Sequence, residues 1–579
     1  MTRLFIDGQE VVLPEQFELE LITENPYFTR TGEYTYDIDI DLKVPQNRQI
    51  YKNIQRSDVT TKINNRKAVI AAGAYELITG IEVVLSIDDD TAKIQIVAGN
   101  SQLNYDGNQK IRDIVLDSVN YDKSMAANSL LGTCRNYNAV YTPVVRHDNY
   151  SISTDVNRVE MRGEAQPDFA EGSKLIPQYY LLYIVENLLS KLGLTKSLNE
   201  LENNELWQRV FIVNSRENLQ AQEVLPDWTV NEFIEQIELF MNCIIEVDKR
   251  TANYSIYDIN NYFKNTDDIY IDEVVDYLEK TYDTDTNYSF TYKYVTYDFP
   301  SAEAYNFLRL KDGIRESVES YNIPSSEDMD GEDLEDLYKQ RYLVYSYMYG
   351  INLVVVKIQN PNTGSIFNSF RIVDRFKDVG DKDSDNQTSF SIVPADSGIV
   401  YVWDYESGSR YQCSAVKQVT SYDTTDKDIT LIDLINGNVE TKNVIPERLY
   451  VAIYYGLQKV KTYDTYGNVI ETKKGYPNSS PDNFFINEYS DYFVGIINKL
   501  PDYTLSLQGK RGLYKKIYEN KRNIDTSVEY KFKFITNKIY ELNRIFAIKN
   551  KRYYCKEIRY KITPDGMDKI AEGVFYLAE

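Results

Sequence analysis

Hydrophobic and polar residues alternate with period two through much of the first 120 residues. Tyr34, Tyr36, Ile38, Ile40 and Leu42 fall on one side of an extended chain, and Thr35, Asp37, Asp39, Asp41 and Lys43 on the other. That pattern predicts an antiparallel strand with one face in a core and one in water, ended by Pro45. Ile81, Val83, Leu85 and Ile87 repeat it. The acidic turn Asp88-Asp89-Asp90 follows, and Lys93 to Val97 returns as the partner in a hairpin.

The period then lengthens to that of a helix. Pro177 sits where a helix can begin, and Leu181, Ile184, Val185, Leu188, Leu189 and Leu192 recur at helical spacing up to Gly193, a natural C-terminal stop. Thr229-x-x-Glu232 is a capping box that opens a second helix, with Val230, Phe233, Ile234, Ile237, Phe240 and Met241 as its apolar stripe. Ile244 to Val247, the polar turn Asp248 to Asn253, and Tyr254 to Tyr257 predict a hairpin packed on that helix.

Strands resume at Tyr288, Phe290, Tyr292 and Tyr294, which alternate with Ser289, Thr291 and Lys293. Ser325 to Asp336 holds seven acidic residues in twelve, around Gly331, and reads as a surface loop leading into a helix with Leu334, Leu337 and Tyr338. Ile351 to Ile358 is a strand-like apolar run and Asn360-Pro361-Asn362-Thr363-Gly364 a turn. More strands are expected around Phe390, Val400 to Trp403 and Leu449 to Tyr455. Alternation returns at Val528, Tyr530, Phe532 and Phe534, at Tyr553 and Cys555, and at Ile558, Tyr560 and Ile562.

The expected fold class is therefore α+β and β-rich: several antiparallel β-barrel or sandwich domains with an intervening α/β helix-hairpin segment. A chain of 579 residues exceeds a single domain several-fold. The expected division is an N-terminal β-domain over 1–150, an α/β segment with two amphipathic helices over 151–262, a second β-domain over 263–455 with the acidic loop 325–336, and a basic C-terminal β-domain over 456–579. No short-period repeat and no heptad run is present, which excludes a solenoid or a coiled-coil fibre.

Composition adds one unusual number, 51 Tyr against 22 Phe and 3 Trp. Tyr joins a large apolar body to a polar tip, so it suits half-buried strand faces and surfaces that are wet before assembly. The formal charge of −24 argues against nucleic-acid binding, which needs clustered Lys and Arg. That charge is uneven: residues 441–579 carry 24 Lys and Arg against 16 Asp and Glu, and residues 1–440 carry 40 against 72. Complementary ends of this kind steer and orient association, although ordinary solubilising charge gives the same count.

Little points to catalysis. The single histidine, His147, lies between Arg146 and Asp148 with no nucleophile signature anywhere in the chain, so a turn residue is its plain reading. One histidine also rules out His-based metal motifs, and no phosphate-cradling glycine loop occurs. Cys134, Cys243, Cys413 and Cys555 are scattered and read as core residues rather than a disulfide framework or zinc site. Asp381-x-Asp383-x-Asp385 and Asp283-x-Asp285-x-Asn287 share the spacing that opens an EF-hand loop. Asn386 and Tyr288 replace the loop glycine, however, and Ile392 stands where the first would need its bidentate Glu. A looser divalent-cation loop at 381–386 competes there with a plain polar turn. No catalytic, cofactor-binding or metal-ligating residue is therefore assigned, and no cofactor is expected.

Met1 to Glu20 carries Asp7, Glu10, Glu15, Glu18 and Glu20 where a secretion signal needs an unbroken apolar stretch, so no such signal is expected. The most apolar stretch, Tyr179 to Leu194, is too short and too polar to cross a bilayer, so no stable membrane insertion is expected and synthesis is placed in the cytoplasm.

Leu4-Phe5-Ile6-Asp7-Gly8-Gln9, Glu24-Asn25-Pro26-Tyr27-Phe28-Thr29, Gly32-Glu33-Tyr34-Thr35-Tyr36 and Asn47-Arg48-Gln49-Ile50-Tyr51 together resemble a group of tail proteins in phages and prophages of Bacteroides-type gut bacteria. Leu225-Pro226-Asp227-Trp228-Thr229-Val230 with its helix and hairpin is similar to a segment of tail hub proteins. The resemblance covers the first 120 residues and 225–258 and fades over the C-terminal third. It implies a baseplate or tail hub: β-barrel domains around an α/β segment, a homo-oligomer, commonly a trimer around the tail axis, joining the tail tube to distal spike or fibre components within a virion. It implies no catalytic residues. A receptor-binding protein holding surface glycans on Trp403-Asp404-Tyr405 is the alternative, and a tail-associated hydrolase using two carboxylates is a third.

Overall fold

A computed structural model describes residues 1–282 apart from 30–32, 36, 61–62, 64–65, 74, 102–106, 149–150, 163–166, 249–250 and 265–266. Beyond these it describes 294–298, 343–346, 351–359, 366–372, 376, 378–383, 387–419, 446–463, 469–481, 503–507, 509, 511–518 and 524–578. The chain is mostly strand with few helices, a β-rich α+β protein, and no sheet among the described residues closes into a barrel. The expected loop 325–336 with its helix, the turn at 360–364 and residues 288–293 lie outside the described residues.

The largest sheet has fourteen strands among the described residues. It runs from Gln9–Val11 through Thr2–Ile6, Arg66–Ala72, Tyr75–Ile87, Thr91–Ala98, Glu33–Thr35 and Leu19–Glu24 to Lys551–Thr563, Gly566–Ala578, Val528–Ile535 and Val274–Tyr282. Leu19–Glu24 pairs with Lys551–Thr563 from Leu19↔Ile562 to Glu24↔Glu557, so residues expected in the first and last units share one sheet. One face buries Leu4, Ile6, Ile38, Ile40, Ile70, Ile94, Phe534, Cys555, Tyr560 and Phe575 in a common core.

Two strand expectations change in detail. Tyr34 to Leu42 is two strands, Glu33–Thr35 and Ile38–Asp41, both paired with Thr91–Ala98. The face flips between them: Thr35 is buried and accepts the Ile96 N–H, whereas Ile38, Ile40 and Leu42 are buried in the next strand. Pro45 does more than end a strand, because it opens the helix Pro45–Ile50 at a position where its missing N–H costs nothing. In Tyr75–Ile87 the main core side is not the apolar one. Ile81 and Val83 form a small separate cluster with Val97, and Leu85 is 47% exposed, while Glu82 is buried. Arg66 makes that tolerable by donating Nε and Nη2 to the Glu82 carboxylate at 2.7 and 3.0 Å, with the Tyr51 hydroxyl as a further donor.

The helix-hairpin segment forms as expected. Thr229 Oγ1 accepts the Glu232 N–H and the Glu232 carboxylate accepts the Thr229 N–H, closing the capping box of Val230–Met241. Cys243–Val247 and Asn253–Asp258 pair antiparallel, and Thr195–Asn199 joins Asn253–Asp258 in parallel. The first helix spans Leu181–Lys191 and buries Leu181, Ile184, Val185, Leu188 and Leu189, with Gly193 at φ +84° beyond its end. It starts after Pro177 because Gln178–Tyr179 is drawn into a short strand against Ala139–Val140. A six-stranded mixed sheet, with Val144–Asp148 parallel to Ser409–Val419 and Val159–Met161 parallel to Asp396–Asp404, packs beside this segment.

Candidate functional site

The large sheet meets the helix-hairpin segment at an aromatic joint. Tyr554 and Tyr576 alternate with the core-facing Tyr553, Cys555 and Phe575, so they point to the opposite face. There Phe263 packs on Tyr554 at 4.7 Å, Phe28 on Tyr576 at 5.0 Å, and Tyr27 on Tyr262 and Phe263 at 5.8 and 5.0 Å. Asn25 pins the joint by donating Nδ2 to the Leu542 and Cys555 carbonyls, both at 2.8 Å.

Beside this joint opens a cleft of about 410 Å³ walled by Thr23, Glu24, Asn100, Glu246, Asp248 and Glu541, among others. Among the described residues its lining holds three Glu and one Asp and no Lys or Arg. Three of its four carboxylates are already engaged: Tyr34 donates to Glu24 at 2.8 Å, Tyr262 to Glu246 at 3.4 Å, and Thr251 to Asp248 through both N–H and hydroxyl. Burial, then the Glu246 charge, pushes the Tyr262 phenol well above its usual range, which keeps it a neutral donor. These acids act as acceptors that hold the joint, and no group of three or more His, Cys, Asp or Glu able to hold a metal occurs among the described residues.

The residues weighed from sequence fall as follows. His147 lies in Val144–Asp148 with its backbone opposite Val419, and its side chain is outside the described residues. Asp381 accepts the Asp383 N–H at 3.0 Å in an exposed turn, and Lys382 reaches Asp378 at 3.0 Å; Asp385, Asn386 and Asp283 to Asn287 lie outside the described residues. Cys243 and Cys555 are buried, Cys134 partly so, and all three are free thiols; the Cys413 side chain is outside the described residues.

Trp403, Asp404 and Tyr405 are close, but not as a sugar platform. Asp404 is turned inward: its carboxylate accepts the Glu406 and Ser407 N–H groups at 3.0 and 3.4 Å and the Tyr476 hydroxyl at 3.5 Å. Trp403 and Tyr405 share the other face, 6.1 Å apart and edge to face. On that face Arg162 lies over the Tyr405 ring at 5.0 Å.

Sequence reasoning missed the edge strand Val274–Tyr282. It pairs with Val528–Ile535 on one side, and among the described residues nothing pairs on the other. Register shifts at Val274/Asp276 and at Tyr277/Glu279 leave Val275 and Leu278 unpaired. Val275, Tyr277, Leu278 and Tyr282 are all exposed. The two bulges explain the miss, since they break the period-two signal; the usable trace was five apolar or aromatic residues in a nine-residue run.

No protein-family model and no curated protein matches the sequence. Among solved structures the chain is similar to a 43 kDa tail protein of prophage MuSo2 from Shewanella oneidensis, at 9% identity and TM-score 0.33, covering 100% of this chain and 98% of that one. It is also similar to a tail protein from Neisseria meningitidis MC58, at 7% identity and TM-score 0.29, covering 100% of this chain and 96% of that one.

Proposed function

We propose that the chain is a non-enzymatic structural subunit of a phage-type tail, a baseplate or tail hub protein that closes a homo-oligomeric ring, a trimer in the first instance, around the tail axis. Other tail and baseplate proteins are its neighbours, and the virion tail is its place. The observation that carries the reading is the Val274–Tyr282 edge. A nine-residue edge strand with Val275, Tyr277, Leu278 and Tyr282 exposed is an aggregation hazard for a solitary protein and a natural interface for a subunit. The bulges at Val275 and Leu278 break strand-to-strand pairing, so the surface suits side-chain packing against a neighbour more than sheet extension. The tyrosine-rich composition, the basic segment 441–579 and the resemblance of residues 4–51 and 225–230 to tail proteins support the same reading.

The test is light scattering with negative-stain imaging of the full chain, beside a Leu278→Lys/Tyr282→Lys variant. Closed rings for the parent and smaller particles for the variant, at unchanged circular dichroism, are expected. A parent that stays monomeric together with its tail neighbours, or a variant that assembles as well as the parent, overturns the reading.

A further inference from the structure

The face of the six-stranded sheet that carries Trp403 and Tyr405 has a chemistry of its own. Val159–Met161 runs parallel to Asp396–Asp404 with Glu160 opposite Trp403, so the row Arg158, Glu160, Arg162 lies beside the row Trp403, Tyr405. Both arginines reach the same carboxylate: Arg162 lies 2.9 Å and Arg158 3.8 Å from Glu160. Glu160 is almost covered, at 10% side-chain exposure, whereas the arginines remain 53% and 52% exposed. One carboxylate thus stands between two guanidinium groups that each keep donors facing solvent.

Next to them Tyr405 is 53% exposed, with Arg162 over its ring. The one acid that would make this cluster suit a neutral sugar, Asp404, is turned into the protein and occupied by Glu406, Ser407 and Tyr476. What these two rows present to solvent is mainly aromatic and cationic, bordered by Asp168, which lies opposite Glu160 and 3.3 Å from Lys123, and by the exposed Glu406. Tyr, Trp and Arg are the residues that dominate binding energy at protein interfaces, and clustered Arg selects acidic segments through charge-assisted, forked hydrogen bonds.

Elsewhere residues 1–440 are strongly acidic, so a cationic patch within them stands out, and the chain carries a segment of matching chemistry, the seven acids within Ser325–Asp336. We propose that the Arg158–Arg162–Trp403–Tyr405 patch docks the acidic segment Ser325–Asp336 of a second copy of the chain. This rests on the assembly reading above and adds a specific contact to it: an acidic segment of one subunit held on the aromatic-arginine face of the next. Such a contact is heterologous, since donor and acceptor surfaces differ, and heterologous contacts are the kind that close rings.

The experiment uses the full chain with the seven acids of 325–336 changed to Asn or Gln, which removes the competing segment, and a fluorescent peptide of Ser325–Asp336 followed by anisotropy. Binding is expected, weakened at least about tenfold by Arg158→Glu/Arg162→Glu and by Tyr405→Ala, and weakened again by high salt. These side chains are about half exposed, and an unchanged melting temperature verifies that the variants fold.

Absence of peptide binding, or binding that ignores the charge reversals, overturns the proposal. So does a sulfated oligosaccharide that binds the patch where the peptide does not. An unaltered chain that refuses the peptide while remaining monomeric shows the segment docked within its own subunit, which also overturns it. Association that falls on charge reversal but never yields closed rings sinks the hub reading and leaves this contact standing; rings indifferent to the reversals do the opposite.

Discussion

The side chain of Asn100 and the backbone of Val247 are joined as neighbouring strands are joined. The Val247 N–H donates to Asn100 Oδ1 at 2.7 Å, and Asn100 Nδ2 donates to the Ile245 carbonyl at 2.6 Å. One buried side chain thereby caps the edge of Cys243–Val247 next to the cleft. Gly99 makes room for it: its φ is +57°, and a methyl group on its Cα would sit only 2.9 Å from the Val247 carbonyl oxygen. Asn100→Ala is expected to cost about 2 to 3 kcal/mol by leaving two buried backbone groups unpaired. Hydrogen exchange of the 243–247 segment should rise in both Asn100→Ala and Gly99→Ala, and unchanged protection would refute the role.

The Arg66, Glu82 and Tyr51 group predicts an asymmetry. Glu82→Ala should destabilise by about 3 to 5 kcal/mol, because it strands the Arg66 guanidinium at a nearly buried site. The paired change Arg66→Met/Glu82→Leu should cost clearly less than Glu82→Ala alone, since it strands no charge. Denaturant melts of the three proteins check this, and equal losses would rule it out.

Acid should loosen the second helix at its start. The Thr229 backbone N–H, and secondarily its hydroxyl, holds the Glu232 carboxyl below its usual range against a smaller opposing effect of burial. A depressed folded-state pKa means the contribution is present above the ordinary glutamate range and is lost as pH falls through the lower, folded value. Exchange of the 228–233 amides should therefore quicken as pH drops below about 4, after correction for the intrinsic rate. In Glu232→Gln, which does not titrate, that extra step should vanish.

The thiols should be inert while the protein is folded. Burial, reinforced by Glu186 and Glu202, pushes the Cys134 thiol up to about 12, and burial raises the Cys555 thiol well above its usual range. Iodoacetamide at pH 8 is expected to leave Cys134, Cys243 and Cys555 unmodified until denaturant is added, because the thiolate is the reacting species. Rapid labelling of Cys134 in the native protein would contradict the packing around it.

Periodicity was readable wherever a strand kept one register or a helix one stripe. The Thr229 capping box, the hairpin behind it, and the core positions Phe532 and Phe534 are examples, each fixed by neighbours in sequence. What escaped were features set by distant partners. Glu82 is inside because Arg66 and Tyr51 wait for it, and Thr35 because it caps the Ile96 amide. Local bulges did the rest. The paired bulges in Val274–Tyr282 hid the edge altogether, whereas the shift between Cys555 and Glu557 left 553 and 555 readable on one side of it and 558, 560 and 562 on the other. The Trp403-Asp404-Tyr405 run was visible as a cluster, but Asp404 is turned inward by the Glu406 and Ser407 amides of its own turn and by Tyr476, 72 residues away.

The pairing of Thr23 with Ile558 has a consequence for how the protein is made. A ribosome adds roughly 5 to 20 residues per second, so Leu19–Glu24 waits on the order of half a minute to two minutes for its partner strand to be synthesised. Throughout that time the growing chain holds an unfinished sheet with apolar side chains and open backbone groups. Completion requires closing a loop of more than five hundred residues, a slow step set by topology and not by stability. A strand made more than five hundred residues later thus seals the open edge of Leu19–Glu24.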